Sequence, residues 1–145
     1  MDKMLPILLF LLSFTTLAQA GEIPSGQQLQ REAEQRTQNI DTASLVKMLD
    51  TELDMVLIDI RTADEIRGMG GTIKAAQNVK IPRGWLEFRV QRHAISKDTP
   101  IVVYCGAGFR SPLAADTLQK MGYRNVRNYS EGYIGWKKAG LPIAR

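Results

Sequence analysis

Apolar residues recur along this chain with two different periods. "MVLIDI" at 55–60 and "PIVVY" at 100–104 are short unbroken apolar runs rich in strand formers, the pattern of strands buried on both faces. Around them the spacing is helical. "DTASLVKMLD" places Leu45, Met48 and Leu49 on one face, with Asp41 or Thr42 as the cap. Thr62 and Glu65, three apart in "TADEIRG", have capping-box spacing for a short helix ending at Gly68. From Ser111 to Met121 the stripe is Leu113, Ala114, Thr117, Leu118 and Met121, with Lys120 in the last turn and Gly122 at the stop. The Ser111-Pro112 opening predicts serine as the cap and proline in the first helical position. "MGGTIKAAQ" reads as a loop, "NVKIP" as a brief strand stopped by Pro82, and "GWLEFRVQ" as a helical turn or two. "NVRNYS" is a last strand and "YIGWKKAG" a closing helix.

Strands separated by helices predict an α/β fold, an open parallel sheet of about five strands with helices on both faces. In such sheets ligands bind outside the carboxyl ends of the strands.

The ends of the chain read differently. Leu5 to Leu17 is almost unbroken apolar, follows Lys3, and precedes Ala18-Gln19-Ala20, a small-x-small cleavage pattern. The run is shorter than the roughly 20 residues needed to span a bilayer as a helix, so residues 1–20 predict a cleaved secretory signal and a periplasmic protein. A retained N-terminal anchor is the competing reading. Residues 21–38 are polar and glutamine-rich, predicting a linker or a loosely docked helix, with the domain at 39–145.

The net charge of +4 is mild, but Lys80, Arg83, Arg89, Arg92 and Lys97 crowd one segment against the single acid Glu87. That face either favours anionic small molecules or is a solvated surface. No basic array interleaved with aromatics argues for nucleic acid. Met48, Met55 and Met121 read as core filler, and Trp136 and Trp85 as packing in the core or at a site's mouth. His93, the one histidine, reads as surface.

Cys105 is the only cysteine, so no internal disulfide can form. A leftover cysteine in an oxidising compartment implies a partner or a free reactive thiol; the plain alternative is an inert buried one. Its neighbours favour reactivity. It ends an apolar strand and begins "CGAGFRSP", a glycine-rich loop leading to a helix start, where inward amides, the helix dipole and Arg110 make an anion cradle. A position at the strand's end predicts a reachable thiol. Lowering a thiol pKa from about 8.5 to about 6 takes roughly 3.4 kcal/mol. A helix dipole supplies about 0.3–1, occasionally about 2 kcal/mol, whereas hydrogen bonds to a charged group contribute about 1.5–3 each. Two or more convergent amides are therefore required.

"LIDIRTADEI", "NVKIP", "VVYCGAGFRS", the helix ending in "KMGYRNV" and "SEGYIGWKKAGLPI" occur together in this order. Over residues 40–143 the chain resembles the rhodanese-like sulfurtransferases in their single-domain form. The resemblance implies that Cys105 takes a sulfane sulfur from an anionic donor such as thiosulfate, holds it as a persulfide, and passes it to a thiophilic acceptor: cyanide, a thiol or a protein. It implies no cofactor beyond that persulfide. The persulfide would rest on the loop Gly106, Ala107, Gly108, Phe109, Arg110 and Ser111, with Arg110 holding the donor. Asp59 and Arg61 match the family's strand-end pair and would support the site from behind. Arg83 and Trp85 are candidates to contact substrate, Arg83 being equally readable as a solvated cation. No metal-ligand cluster is apparent. Four residues separate Cys105 from Arg110, against five in the fold's dual-specificity phosphatase relatives, so the tighter ring suits sulfur better than phosphate.

Two departures stand out. Gly106 occupies a position that is basic in many thiosulfate-active members, and "GGTIKAA" replaces the family's usual "GHIPGA". The first leaves a second reading open: a non-catalytic sulfur-carrier or anion-binding module acting with a protein partner. A third treats Cys105 as a redox thiol forming mixed disulfides.

Overall fold

The computed structural model describes residues 21–145, and the leader expected at 1–20 lies outside the described residues. The elements are α1 (Gly26–Arg36), β1 (Gln38–Ile40), α2 (Thr42–Thr51), β2 (Val56–Asp59), α3 (Ala63–Gly68), β3 (Thr72–Ile73) and β4 (Asn78–Lys80). Then follow α4 (Leu86–Arg89) between two 3₁₀ turns, β5 (Ile101–Tyr104), α5 (Ser111–Lys120), β6 (Val126–Tyr129), α6 (Gly132–Lys138) and β7 (Ile143–Ala144). Five strands form one parallel sheet in the order β1-β6-β5-β2-β4, as the alternation of strands and helices predicts.

The two apolar runs become the central strands, and their period of two divides the core. Val56, Ile58, Ile60, Ile101, Val103 and Cys105 face the side covered by α4 and α5. Leu57, Val102 and Tyr104 face the other, against residues of α2 and α6 such as Leu45, Tyr133 and Trp136. Asp41 caps α2, its carboxylate accepting from the Ser44 amide at 2.8 Å. Thr62 and Glu65 make the capping box of α3 in both directions.

Three expectations change. Of the two readings of 21–38, the helix is the one present, over Gly26–Arg36, and it is firmly rather than loosely seated: Ser25 caps α1, Ala33 is fully buried, and Arg36 grips Asp116 of α5 through two 3.0 Å hydrogen bonds, while Gln38 begins β1. The polar composition of α1 concealed this, because one small apolar residue and one ion pair suffice to dock it. They also bury Asp116, which lies off the predicted stripe of α5. The loop 69–77 contains β3, paired antiparallel with β7 near the C-terminus. Trp85 is half exposed, whereas Trp136 is buried and donates its indole N–H to the Pro142 carbonyl.

Candidate active site

Cys105 directly follows β5 and packs in the same core cluster as Ile101 and Val103, and the chain then folds back over it into α5. The thiol is consequently enclosed, the residue being 1% exposed, which corrects the expectation of a reachable sulfur. Enclosure is what lets the loop amides meet it. Those of Arg110, Ser111 and Gly108 donate toward the sulfur, and the Ser111 hydroxyl lies 3.7 Å from Sγ. Burial pushes the thiol pKa up, but these donors outweigh it, and the net shift is downward. Three loop amides and a hydroxyl thus act in the direction that stabilising the thiolate needs. Ser111 does not cap α5 as its sequence context predicts: the capping position is Arg110, without a side-chain cap, and the serine hydroxyl faces the sulfur instead.

Gly108 and Gly132 hold the loop in shape. Gly108 has φ +83°, and a Cβ there would stand 2.1 Å from the Ser130 carbonyl oxygen. Gly132, φ +59°, turns the chain into α6 so closely that a Cβ would meet the Gly106 and Cys105 carbonyl oxygens at 2.7 and 2.9 Å. That approach allows the Tyr133 and Ile134 amides to donate to the Cys105 and Gly106 carbonyls at 2.9 and 3.0 Å. The "EGYIGW" segment is thus a backbone clamp on the cysteine loop, a physical reason for the two motifs to occur together.

Arg110 projects to the rim, where Glu65 accepts from it at 2.5 and 3.1 Å. Phe109 is exposed beside it. Together with Leu113 and the α1 residues Gly26, Gln27, Gln30 and Arg31, they line a groove of about 540 Å³. Sequence reasoning missed both Glu65, taken only as a capping residue, and α1, whose polarity hid its place beside the loop.

Asp59 and Arg61 form a fully buried pair behind the site. Arg61 donates to both Asp59 oxygens at 2.9 and 2.6 Å and to the Gly71 carbonyl at 3.0 Å, and Thr72 donates to Asp59 at 2.8 Å. The guanidinium stacks on Tyr133, 4.1 Å from the ring centroid, and reaches the Met69 sulfur at 3.5 Å. Both lie against the cysteine loop: the Tyr133 amide binds the Cys105 carbonyl, and the Met69 side chain sits 3.4–3.5 Å from where a Gly106 Cβ would be. A buried charge remains acceptable because its donors are matched.

Arg83 and Trp85 are not brought to this loop. Arg83 binds Glu87 at 3.1 Å and the Thr117 hydroxyl at 3.0 Å on the flank of α5, and Trp85 carries Arg89 on its ring at 4.5 Å. His93 is exposed. Among the described residues no group of three or more His, Cys, Asp or Glu could hold a metal ion.

The Rhodanese-like domain family profile matches residues 41–139. A sulfurtransferase of Allochromatium vinosum is 38% identical over 104 residues, covering 72% of this chain and 92% of its own. The polysulfide-sulfur transferase homodimer of Wolinella succinogenes superimposes with a TM-score of 0.70 at 28% identity, over 79% of this chain and 82% of that one. A Rhodopseudomonas palustris protein of unknown function, described as a candidate tyrosine phosphatase, reaches 0.74 at 30% identity over 86% and 97%. With a five-stranded parallel sheet, a lone cysteine under converging amides and a profile match over most of the described chain, this protein belongs to the rhodanese-like domain family, whose relatives here include sulfurtransferases.

Proposed function

We propose that the protein transfers sulfane sulfur through a persulfide on Cys105. The observation that carries this is the convergence of the Gly108, Arg110 and Ser111 amides and the Ser111 hydroxyl on one sulfur. Donors that stabilise a thiolate also stabilise a persulfide anion, and they do so without reorganising during reaction. With a donor such as thiosulfate, the thiolate attacks the outer sulfur, a new S–S bond forms, and the old one breaks with its electron pair leaving on sulfite. An acceptor, cyanide or a thiol, then attacks the terminal sulfur and returns Cys105 as the thiolate. The chain has no second cysteine to resolve the persulfide as a disulfide.

The same reading includes export. Intact mass of the protein recovered from expressing cells would give a start at Gly21 after cleavage. Incubation with thiosulfate should then add one sulfur, roughly 32 Da, removed by cyanide and absent from Cys105→Ser. No gain from thiosulfate, a thiosulfonate or polysulfide would overturn the persulfide.

A second reading has its own support. Gly106 adds no charge beside the cysteine, and Arg110 is already neutralised by Glu65, so the rim offers a small dianion little attraction. Such a site fits a carrier loaded by a protein partner. Stable persulfide with negligible turnover on all small donors would favour it.

A further inference from the structure

The short helical segment after Pro82 presents two opposite stripes. Leu86, Val90 and Ala94 point inward and are fully or almost fully buried. Outward, Trp85, Phe88 and Arg89 form one contacting group, and Arg92 is exposed at the end of the same segment. An outward face ordinarily carries small polar and charged groups. Here Trp85 is 51% exposed and Phe88 75% exposed, their rings edge to face at 6.0 Å. Arg89 lies over the indole at 4.5 Å, a contact that holds the tryptophan outward.

Charge accompanies the aromatics. Residues 80–97 carry five cations against one carboxylate, a net +4 that equals the whole chain's. The carboxylate, Glu87, is paired with Arg83. The rest of the chain is neutral in sum, so the excess is concentrated on the stretch that exposes the rings.

We propose that this outward stripe is a docking surface for an anionic lipid bilayer, with Trp85 and Phe88 inserted at the headgroup boundary and Arg89 and Arg92 on the lipid phosphates. Tryptophan and phenylalanine are the side chains that gain most at such a boundary, and each basic residue adds attraction to an anionic leaflet. A second copy meeting the same face across a two-fold axis would set Arg89 and Arg92 against their own like charges. A stable protein partner needs on the order of 1,000 Å² of matched surface, more than a four-residue stripe offers, whereas reversible attachment to a bilayer does not. Among the described residues no helix is long and apolar enough to cross a membrane; the attachment proposed here runs through a surface stripe and is independent of the sulfur chemistry.

Trp85 supplies its own reporter, since Trp136, the other tryptophan, is buried. The protein should be titrated with phosphatidylcholine vesicles with and without phosphatidylglycerol, following tryptophan emission and co-sedimentation. The expected result is a blue shift and pelleting with the anionic vesicles only, weakened at high salt. Phe88→Ala and Arg92→Glu, both exposed changes, should each weaken binding about tenfold while leaving the thermal transition in place. Absence of binding, equal binding to neutral vesicles, or binding unaltered in both variants would overturn the proposal, as would capture of an acidic protein by this face without vesicle binding.

Discussion

Arg110 and Glu65 lie 45 residues apart in sequence and are joined at the rim of the cysteine loop by hydrogen bonds of 2.5 and 3.1 Å. The same carboxylate accepts from the Thr62 amide at 3.0 Å. One side chain therefore closes the first turn of α3 and holds the loop's cation away from free solution, linking a local helix cap to the geometry of the site.

Glu65→Gln separates these two roles, since glutamine can keep the capping box but not the charge. With Arg110 released, KM for thiosulfate should fall several-fold while kcat changes little, read by steady-state cyanide-dependent turnover. A rise in KM would mean that Arg110 requires Glu65 for orientation.

Ser111→Ala removes one donor from the sulfur without removing a helix cap, because the serine does not cap α5. Losing a hydrogen bond to the charged form disfavours the thiolate, so the thiol pKa should rise. The pH dependence of Cys105 alkylation by iodoacetamide measures it: the wild-type midpoint should lie below that of a free thiol, and the variant's above the wild type's. Enclosure of the residue further predicts slow reaction with bulky reagents.

The loop glycines should respond unequally. Gly108→Ala forces a left-handed backbone and a collision with the Ser130 carbonyl, costing about 2 kcal/mol or more. Gly106→Ala meets only the flexible end of Met69 at ordinary contact distance, so its cost should stay below about 1 kcal/mol. Urea unfolding of both variants checks the contrast.

Acid should destabilise the protein through two ion pairs. Arg110 and then the Thr62 amide hold Glu65 down to about 2, and Arg36 holds Asp116 down to about 2, from ordinary values of 4.5 and 3.8. A carboxylate whose folded pKa is depressed contributes stability above its unfolded pKa and loses it as pH falls through the folded value. The contribution is thus complete near neutrality and fades between about pH 4.5 and 2. Melting temperature followed over that range should fall less steeply in Glu65→Gln and Arg36→Ala than in the wild type.

Much of this protein follows from local pattern alone. The apolar runs at 55–60 and 100–104 read as strands buried on both faces, because their length and lack of polar alternation suit that environment. Thr62 and Glu65, three apart, set their own cap. Cys105 before Gly106 and Gly108 marked the candidate site, since a tight ring of amides needs residues free to turn. These signals act within a few residues, so sequence carries them.

What the tertiary structure decided depends on partners distant in the chain. The polar residues of α1 show no stripe strong enough to announce docking; Asp116 on α5 supplies the reason for it. Ser111 has every local mark of a cap, yet the sulfur of Cys105 claims its hydroxyl once the loop folds back. That return also encloses a thiol that its strand-end position makes appear accessible. Arg110 has the charge to hold a donor, and Glu65, reached only through the packing of α3 beside the loop, determines whether that charge is free. In each case a side chain with two available partners takes the one that the fold brings within hydrogen-bond distance.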